Sequence, residues 1–242
     1  MGRYFVGVDD TDFGESIGTG SLARELAIHL ERSPGVRCRG VTRHQLFVHP
    51  DIPYSSHNSS ACIEVESPDS LEAMGERASR FVTGLLHEGA DPGVCVCHFA
   101  PSSPALIDFG RRARDTVLVK EEALGLCARE GAFVRELGGS GLGVIGAVAA
   151  CGLRQSRDDG RFISLPGARE LDGILSAREI ADRLGLDAVV DETGVAVPPA
   201  GAVDTLGWVR PLLSGGRVLL RVVRDGVGTG WKVVINKPLD KH

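Results

Sequence analysis

The sequence predicts an α/β or α+β protein built of layered sheets and helices. Segments of strand period and helix period alternate along the chain, which is how such layers are encoded. A hydrophobic fraction of 43% and 32 glycines suit a globular chain with many tight loops. At 242 residues, one large or two modest domains are expected. The division is expected as 1–137, carrying an acidic motif, and 138–242, opening with a glycine-rich loop; either part can be discontinuous in sequence.

The elements follow in order. Tyr4 to Val8 is an apolar run of strand length. Ser21 to Arg32 places Leu22, Leu26, Ala27 and Leu30 at helical spacing, with charges on the other side. Val36 to Val48 reads as extended chain. His49-Pro-Asp-Ile-Pro-Tyr54 reads as a rigid turn, because each proline disfavours helix in the residue before it. Ala61 to Glu66 alternates as a strand, Ser70 to His87 is an amphipathic helix, and Val94 to Phe99 is a further strand. Pro101 to Pro104 separates that strand from a helix over Ala105 to Arg114, and Lys120 to Arg129 forms a short one. Near the end come a strand at Arg161 to Leu165 and a helix at Ser176 to Leu184. Arg217 to Arg224 and Gly230 to Ile235 form a hairpin joined through Asp225-Gly226.

Composition narrows the function. A net charge of -5 and 5% aromatic residues argue against generic nucleic-acid binding, which needs basic surface and stacking platforms. Arg111, Arg112 and Arg114 form a local basic cluster that reads equally well as a solvated helix face. The six cysteines are scattered in apolar segments, and Cys95 and Cys97 share one face of a strand; reduced core thiols are expected. Tyr4 to Val8 is already a strand rather than a signal segment, and no apolar run approaches the ~18 residues of a membrane span. A soluble, cytoplasmic protein without membrane contact is expected.

The chemistry is concentrated in two places. Asp9, Asp10 and Asp12 follow the first strand directly, with Gly18, Thr19 and Gly20 close behind at the start of a helix. Crowded carboxylates repel one another unless a cation neutralises them, and a hard ion such as Mg2+ takes oxygen ligands and bridges to phosphate. The same aspartates also serve as turn and cap residues, a reading that accounts for one or two of them but less well for three. The second place is Gly138-Gly-Ser-Gly-Leu-Gly-Val-Ile-Gly146, running into Ala147 to Cys151. Such a loop lets backbone N–H groups approach an anion at a helix N-terminus, and it equally marks close helix packing. It is neither a Walker A loop nor a clean dinucleotide fingerprint.

These residues resemble a known family, the archaeal tRNA 2-agmatinylcytidine synthetases. Val6-Gly-Val-Asp9-Asp10-Thr11-Asp12 with Gly18-Thr19-Gly20 is similar to the family's first motif. His49-Pro-Asp-Ile-Pro-Tyr54 with Asn58 to Ala61 resembles its Asn-Pro-x-x-Pro-Tyr block. Gly141-Leu-Gly-Val-Ile-Gly-Ala-Val-Ala-Ala150 resembles its Gly-Arg-Gly-x-Ile-Gly-Ala run. The resemblance implies a kinase-like domain of the agmatinylcytidine synthetase type beside a ferredoxin-like domain. It implies ATP and Mg2+ as cofactors, with phosphorylation turning a carbonyl oxygen into a leaving group for an amine. Asp9, Asp10 and Asp12 would be catalytic and hold the metal. Gly18, Gly20, Gly139, Ser140, Gly141, Gly143 and Gly146 would contact the nucleotide. Thr19 corresponds to an autophosphorylated threonine, although threonine there is also an ordinary helix cap.

Departures from the family pattern are equally specific. Ser55 and His57 replace a lysine and an arginine, Leu142 replaces the loop arginine, and Phe47 stands where another arginine precedes the Asn-Pro pair. Lost cations weaken binding to phosphate and to a tRNA backbone. His57 is a candidate general base or phosphate contact, or merely an exposed loop residue. Asn58, Ser59 and Ser60 either bind substrate or form a turn. The chain ends near where the family continues into an OB-fold and a zinc ribbon, and no Cys-x-x-Cys pair supplies that zinc site. The expected activity is therefore ATP/Mg-dependent phosphoryl transfer or ligation on a small-molecule substrate, with an amine as candidate co-substrate and tRNA engaged only through a partner. The alternatives are a non-catalytic nucleotide-binding module working with an RNA-binding partner and, ranked below it, a phosphatase with Asp10 as nucleophile and Asp12 as acid. The helical faces leave room for an oligomer without requiring one.

Overall fold

The computed structural model describes residues 1–11, 18–52, 58–86, 89–226 and 230–235, arranged in two compact units, Met1–Ile163 and Ser164–His242. In chain order the first unit contains β1 (Gly2–Asp9), α1 (Thr19–Glu31), β2 (Arg37–Gln45), β3 (Ser59–Ser67), α2 (Leu71–Thr83) and β4 (Gly93–His98). It continues with α3 (Pro104–Arg112), α4 (Lys120–Glu130), β5 (Phe133–Glu136), α5 (Gly143–Ser156) and β6 (Arg161–Ser164), which runs into the second unit.

The strand order in the first unit is β5-β4-β1-β3-β2-β6. β1 pairs antiparallel with both β3 and β4, and β2–β3 and β4–β5 are antiparallel as well. The fold is therefore α+β. Helices cover both faces of the sheet, which is why its strands are apolar on both sides. Tyr4, Val6 and Val8 pack on one face with α1 and α2; Phe5 points to the other, beneath α3, α4 and α5. α5 lies between the sheet and α3, and its residues from Val144 to Gln155 are almost all buried. A helix enclosed on all sides needs small residues, and the run Gly146-Ala-Val-Ala-Ala150 supplies them, with Val148 its only larger side chain.

The contacts divide the chain at Ile163/Ser164, not at the expected boundary before Gly138. The reason is α5 itself. The glycine-loop helix packs on β1 and β4 and so belongs with the strands that precede it.

The second unit contains β7 (Ile174–Ser176), α6 (Ala177–Leu184), β8 (Ala188–Val190), β9 (Ala202–Asp204), β10 (Leu212–Ser214), β11 (Arg217–Arg224) and β12 (Trp231–Val233). β11 and β12 form the expected antiparallel hairpin, with Val222 opposite Val233. α6 opens with a capping box, Ser176 and Glu179 each satisfying the other's backbone N–H, and ends at Gly185 in a left-handed conformation. Its buried face joins Leu171, Val203, Leu220 and Val222 in a separate core. Among the described residues, no helix is long and apolar enough to cross a membrane.

Candidate functional site

β1 ends by delivering Asp9 and Asp10 to one mouth of the first unit. Asp10 has φ +53°, a left-handed conformation that aspartate tolerates better than most residues. The chain then returns at Gly18, whose φ of +79° starts α1 without any side-chain cap. Thr19 is thus the first residue of the helix and not its cap. Its hydroxyl is buried, and Thr11 Oγ1 donates a hydrogen bond to Thr19 Oγ1 at 3.1 Å. Asp9, Asp10 and Thr19 line a single pocket.

The remaining walls come from three other segments. The β2–β3 connection supplies Leu46, Asp51, Ile52 and Asn58, and the start of β3 supplies Ser59. Asn58 closes that connection by donating to the Phe47 carbonyl oxygen while its own carbonyl accepts from Leu46 N–H. It therefore holds a turn and faces the pocket at once. The α3–α4 connection adds Thr116, Val117 and Leu118, and the start of α5 adds Leu142, Gly143, Ile145 and Gly146.

α5 reaches this position through contacts that exclude side chains. A Cβ on Gly143 would lie 2.2 Å from the Asp91 carbonyl oxygen, and one on Gly93 would lie 2.3 Å from Gly143 C. A Cβ on Gly7 would meet the Ala147 carbonyl oxygen at 2.1 Å. The glycines of α5 are therefore required by close packing, one of the two readings open from sequence.

The loop before α5 wraps an anion, but the anion is the protein's own. Asp91 accepts from Gly141 N–H at 2.6 Å, from Leu142 N–H at 3.2 Å and from the Ser140 hydroxyl. Lys120 Nζ ties the outside of the loop by donating to the Ser140 carbonyl oxygen at 2.8 Å and to Glu136 at 3.0 Å. Gly139, Ser140 and Gly141, expected at the nucleotide, surround Asp91 instead of lining the pocket; the signal for this lies some 50 positions upstream in Asp91. Gly143 and Gly146 do line the pocket. Gly18 starts α1, and Gly20 faces Ile163. Asp12 and His57 lie outside the described residues, as do Tyr54 and Ser55.

Asp51 does not stand out in the sequence, because its proline-flanked setting reads as a turn. With Asp9 and Asp10 it gives the pocket three carboxylates, set against apolar walls from Leu46, Ile52, Val117, Leu118, Leu142 and Ile145. The described lining holds no Lys, Arg or His. Hard oxygen donors without cations suit Mg2+, which brings the positive charge a phosphate needs. Among the described residues no three His, Cys, Asp or Glu side chains come together to hold a metal.

Other candidate chemistry resolves as structure. Arg112 is held by Asp108 and Glu122, and Arg114 pairs with Asp159 at 3.3 Å, so two members of the basic cluster are neutralised. All six cysteines are buried and free. Burial and the neighbouring Glu31 push the Cys38 thiol up to about 12, and those of Cys95, Cys97 and Cys151 are also raised, as befits inert core thiols.

The fold and pocket define an α+β unit whose three sequence motifs, widely separated along the chain, converge on one acidic-mouthed cavity. No family model and no curated protein matches the chain. Solved structures do. It is similar to TiaS in complex with its isoleucine tRNA and ATP, at 27% identity and TM-score 0.54 over 63% of this chain and 36% of that one. The complex of TiaS with the same tRNA, AMPCPP and agmatine gives 26% identity and TM-score 0.55, with the same coverage of 63% and 36%. Apo TiaS, described as a tRNA agmatidine synthetase, gives 26% identity and TM-score 0.52 over 62% of this chain and 35% of that one. The chain thus spans about a third of the length of these structures, and the relationship is to the family whose motifs its sequence resembles, agmatidine being 2-agmatinylcytidine.

Proposed function

We propose that the first unit is the core of an ATP-dependent, tRNA-related enzyme akin to agmatidine synthetase. The observation that supports it best is the convergence of the three motifs: Asp9, Asp10 and Thr19 from the first, Asp51 and Asn58 from the second, and Leu142 to Gly146 from the third border one cavity. Similarity to TiaS structures solved with ATP or AMPCPP supports a nucleotide as the ligand.

In this reading Asp9 and Asp10, with Asp12, hold Mg2+, which neutralises phosphate charge. Gly146 leaves the space in which the Asp9 carboxylate sits. Thr19, oriented by Thr11, is the phosphoacceptor of the protein itself. The apolar wall keeps water from the transferred phosphoryl group, so the chain's contribution is positioning and charge balance. The acceptor is a carbonyl or hydroxyl oxygen on a substrate smaller than tRNA, and displacement by an amine completes a ligation. A pocket walled by aliphatic side chains and lacking described cations favours an acceptor that carries little negative charge.

Calorimetric titration of ATP with Mg2+ into the wild type and Asp10→Asn, followed by phosphopeptide mass spectrometry, tests this. Mg-dependent binding that disappears in the variant, with phosphate on Thr19, is expected. Binding without phosphate transfer would point to a nucleotide-binding module that works through a partner. No binding at millimolar ATP would remove the proposal.

A further inference from the structure

We infer that Asp91 is a positioning residue for the nucleotide pocket, acting as the resident anion of the glycine loop; this rests on the proposed nucleotide reading of that pocket. The loop has the features of a phosphate cradle: a left-handed Gly139 and Gly141, consecutive N–H groups at 141 and 142, and a serine hydroxyl. All three donors point at the Asp91 carboxylate, which is supplied from the turn before β4. Its backbone is fixed too, since Asp91 O accepts from Gly143 N–H at 3.1 Å and Leu137 N–H donates to Pro92 O at 2.9 Å.

The consequence is geometric. Leu142, Gly143 and Gly146 line the pocket, and Leu142 and Gly143 are hydrogen-bonded directly to Asp91. A Cβ on Gly139 would sit 2.8 Å from Asp91 Cγ, so the loop closes tightly round the carboxylate, which already takes its three donors. Phosphates therefore bind on the Asp9 side of α5, and Asp91 sets where that side stands. Removing the carboxylate leaves three donors aimed at a gap, and the loop at 140–142 loses its side-chain anchor while the backbone bond from Gly143 N–H to Asp91 O remains.

The test is chemical rescue. Asp91→Ala should bind Mg-ATP roughly tenfold or more weakly, as displacing a binding wall does. Excess sodium formate, a carboxylate that fits the gap, should restore affinity and raise the variant's melting temperature, whereas sodium chloride at equal ionic strength should do neither. Wild-type protein should not respond to formate. Asp91→Asn keeps the shape but presents an amide group to the loop donors, so it should be weakened and not rescued. Wild-type affinity in either variant, or a loss in folded Asp91→Ala that formate leaves unchanged, would overturn the inference. If the wild type itself binds no nucleotide, the functional proposal fails alone; the formate effect on melting temperature still decides the role of Asp91.

Discussion

The carboxylate of Asp9 occupies the space that a side chain on Gly146 would fill. A Cβ there would lie 1.6 Å from Asp9 Oδ2 and 2.4 Å from Asp9 Cγ. The end of β1 and the first turns of α5 are thereby fitted to each other at the mouth of the pocket.

Gly146→Ala separates this contact from helix propensity. In an exposed helix interior the change stabilises by about 1 kcal/mol. Here alanine must drive the Asp9 side chain from its place, so we expect no gain in melting temperature and roughly a tenfold or greater loss of Mg-ATP affinity. Thermal denaturation and calorimetry read the two effects independently, and a more stable variant with unchanged binding would contradict the contact.

Glu64 and Arg154 form a buried ion pair, and Arg3 joins it from the rim. The Arg154 guanidinium also lies over the rings of Phe5 and Phe162, with centroid distances of 5.4 Å and 5.3 Å. Burial pulls the Arg154 pKa down, yet the guanidinium stays charged. Glu64→Gln strands that charge and should cost about 3–5 kcal/mol in urea denaturation. Glu64→Leu combined with Arg154→Met removes both charges and should cost clearly less than the sum of the single changes.

His44 is fully buried between Thr42 and Asp159, with Oγ1 and Oδ1 each 2.8 Å from a ring nitrogen. A carboxylate only accepts, so Nδ1 carries the proton toward Asp159, while the Thr42 hydroxyl beside Nε2 also lies within donating distance, 3.3 Å, of the Cys62 carbonyl oxygen. Burial lowers its pKa below 6.5, with Arg154 and Arg114 contributing and Asp159 opposing. The unfolded chain then binds a proton that the folded chain refuses. Its stabilisation is complete above about pH 6.5 and declines as the pH falls from there toward the folded value. Melting temperatures measured from about pH 7.5 down to about pH 5.5 should fall more steeply for the wild type than for His44→Gln.

Leu142 lines the pocket where the resembled family carries an arginine. Leu142→Arg should tighten Mg-ATP binding, by about 1 kcal/mol at an exposed site. Added salt should weaken the variant's binding more steeply than the wild type's, since a new cation meets the phosphates. Identical salt slopes would show that the phosphates lie elsewhere.

Much of the fold is legible in the sequence because its long elements carry clear periods. β1, α1, β3, α2, β4 and the β11–β12 hairpin fall within a few residues of where alternation and helical spacing place them. β7, β8, β9 and β10 escape such reading, each having three residues, too few to show an alternation. At the site, Asp9, Asp10 and Thr19 are legible as a cluster because they are close in sequence. Asp51 is hidden by the prolines beside it, which advertise a turn. The glycine loop is legible as an anion cradle, but its occupant, Asp91, is a long-range partner that no local pattern reveals. Nor does any local pattern show that antiparallel β1 gains its neighbour at the pocket from α5, which arrives from far along the chain.

The backbone-to-backbone contact of Gly93 with Gly143 bears on how this pocket can be reshaped. A wall built from side chains can be remodelled by changing rotamers or trimming a methyl group. The contact of two glycines, of which Gly143 lines the cavity, offers no such adjustment, since any replacement at either position pushes a strand and a helix apart. Attempts to widen or re-aim the cavity for another acceptor should therefore spare the Gly93–Gly143 contact and vary the more exposed lining, at Ile52, Val117 and Leu142.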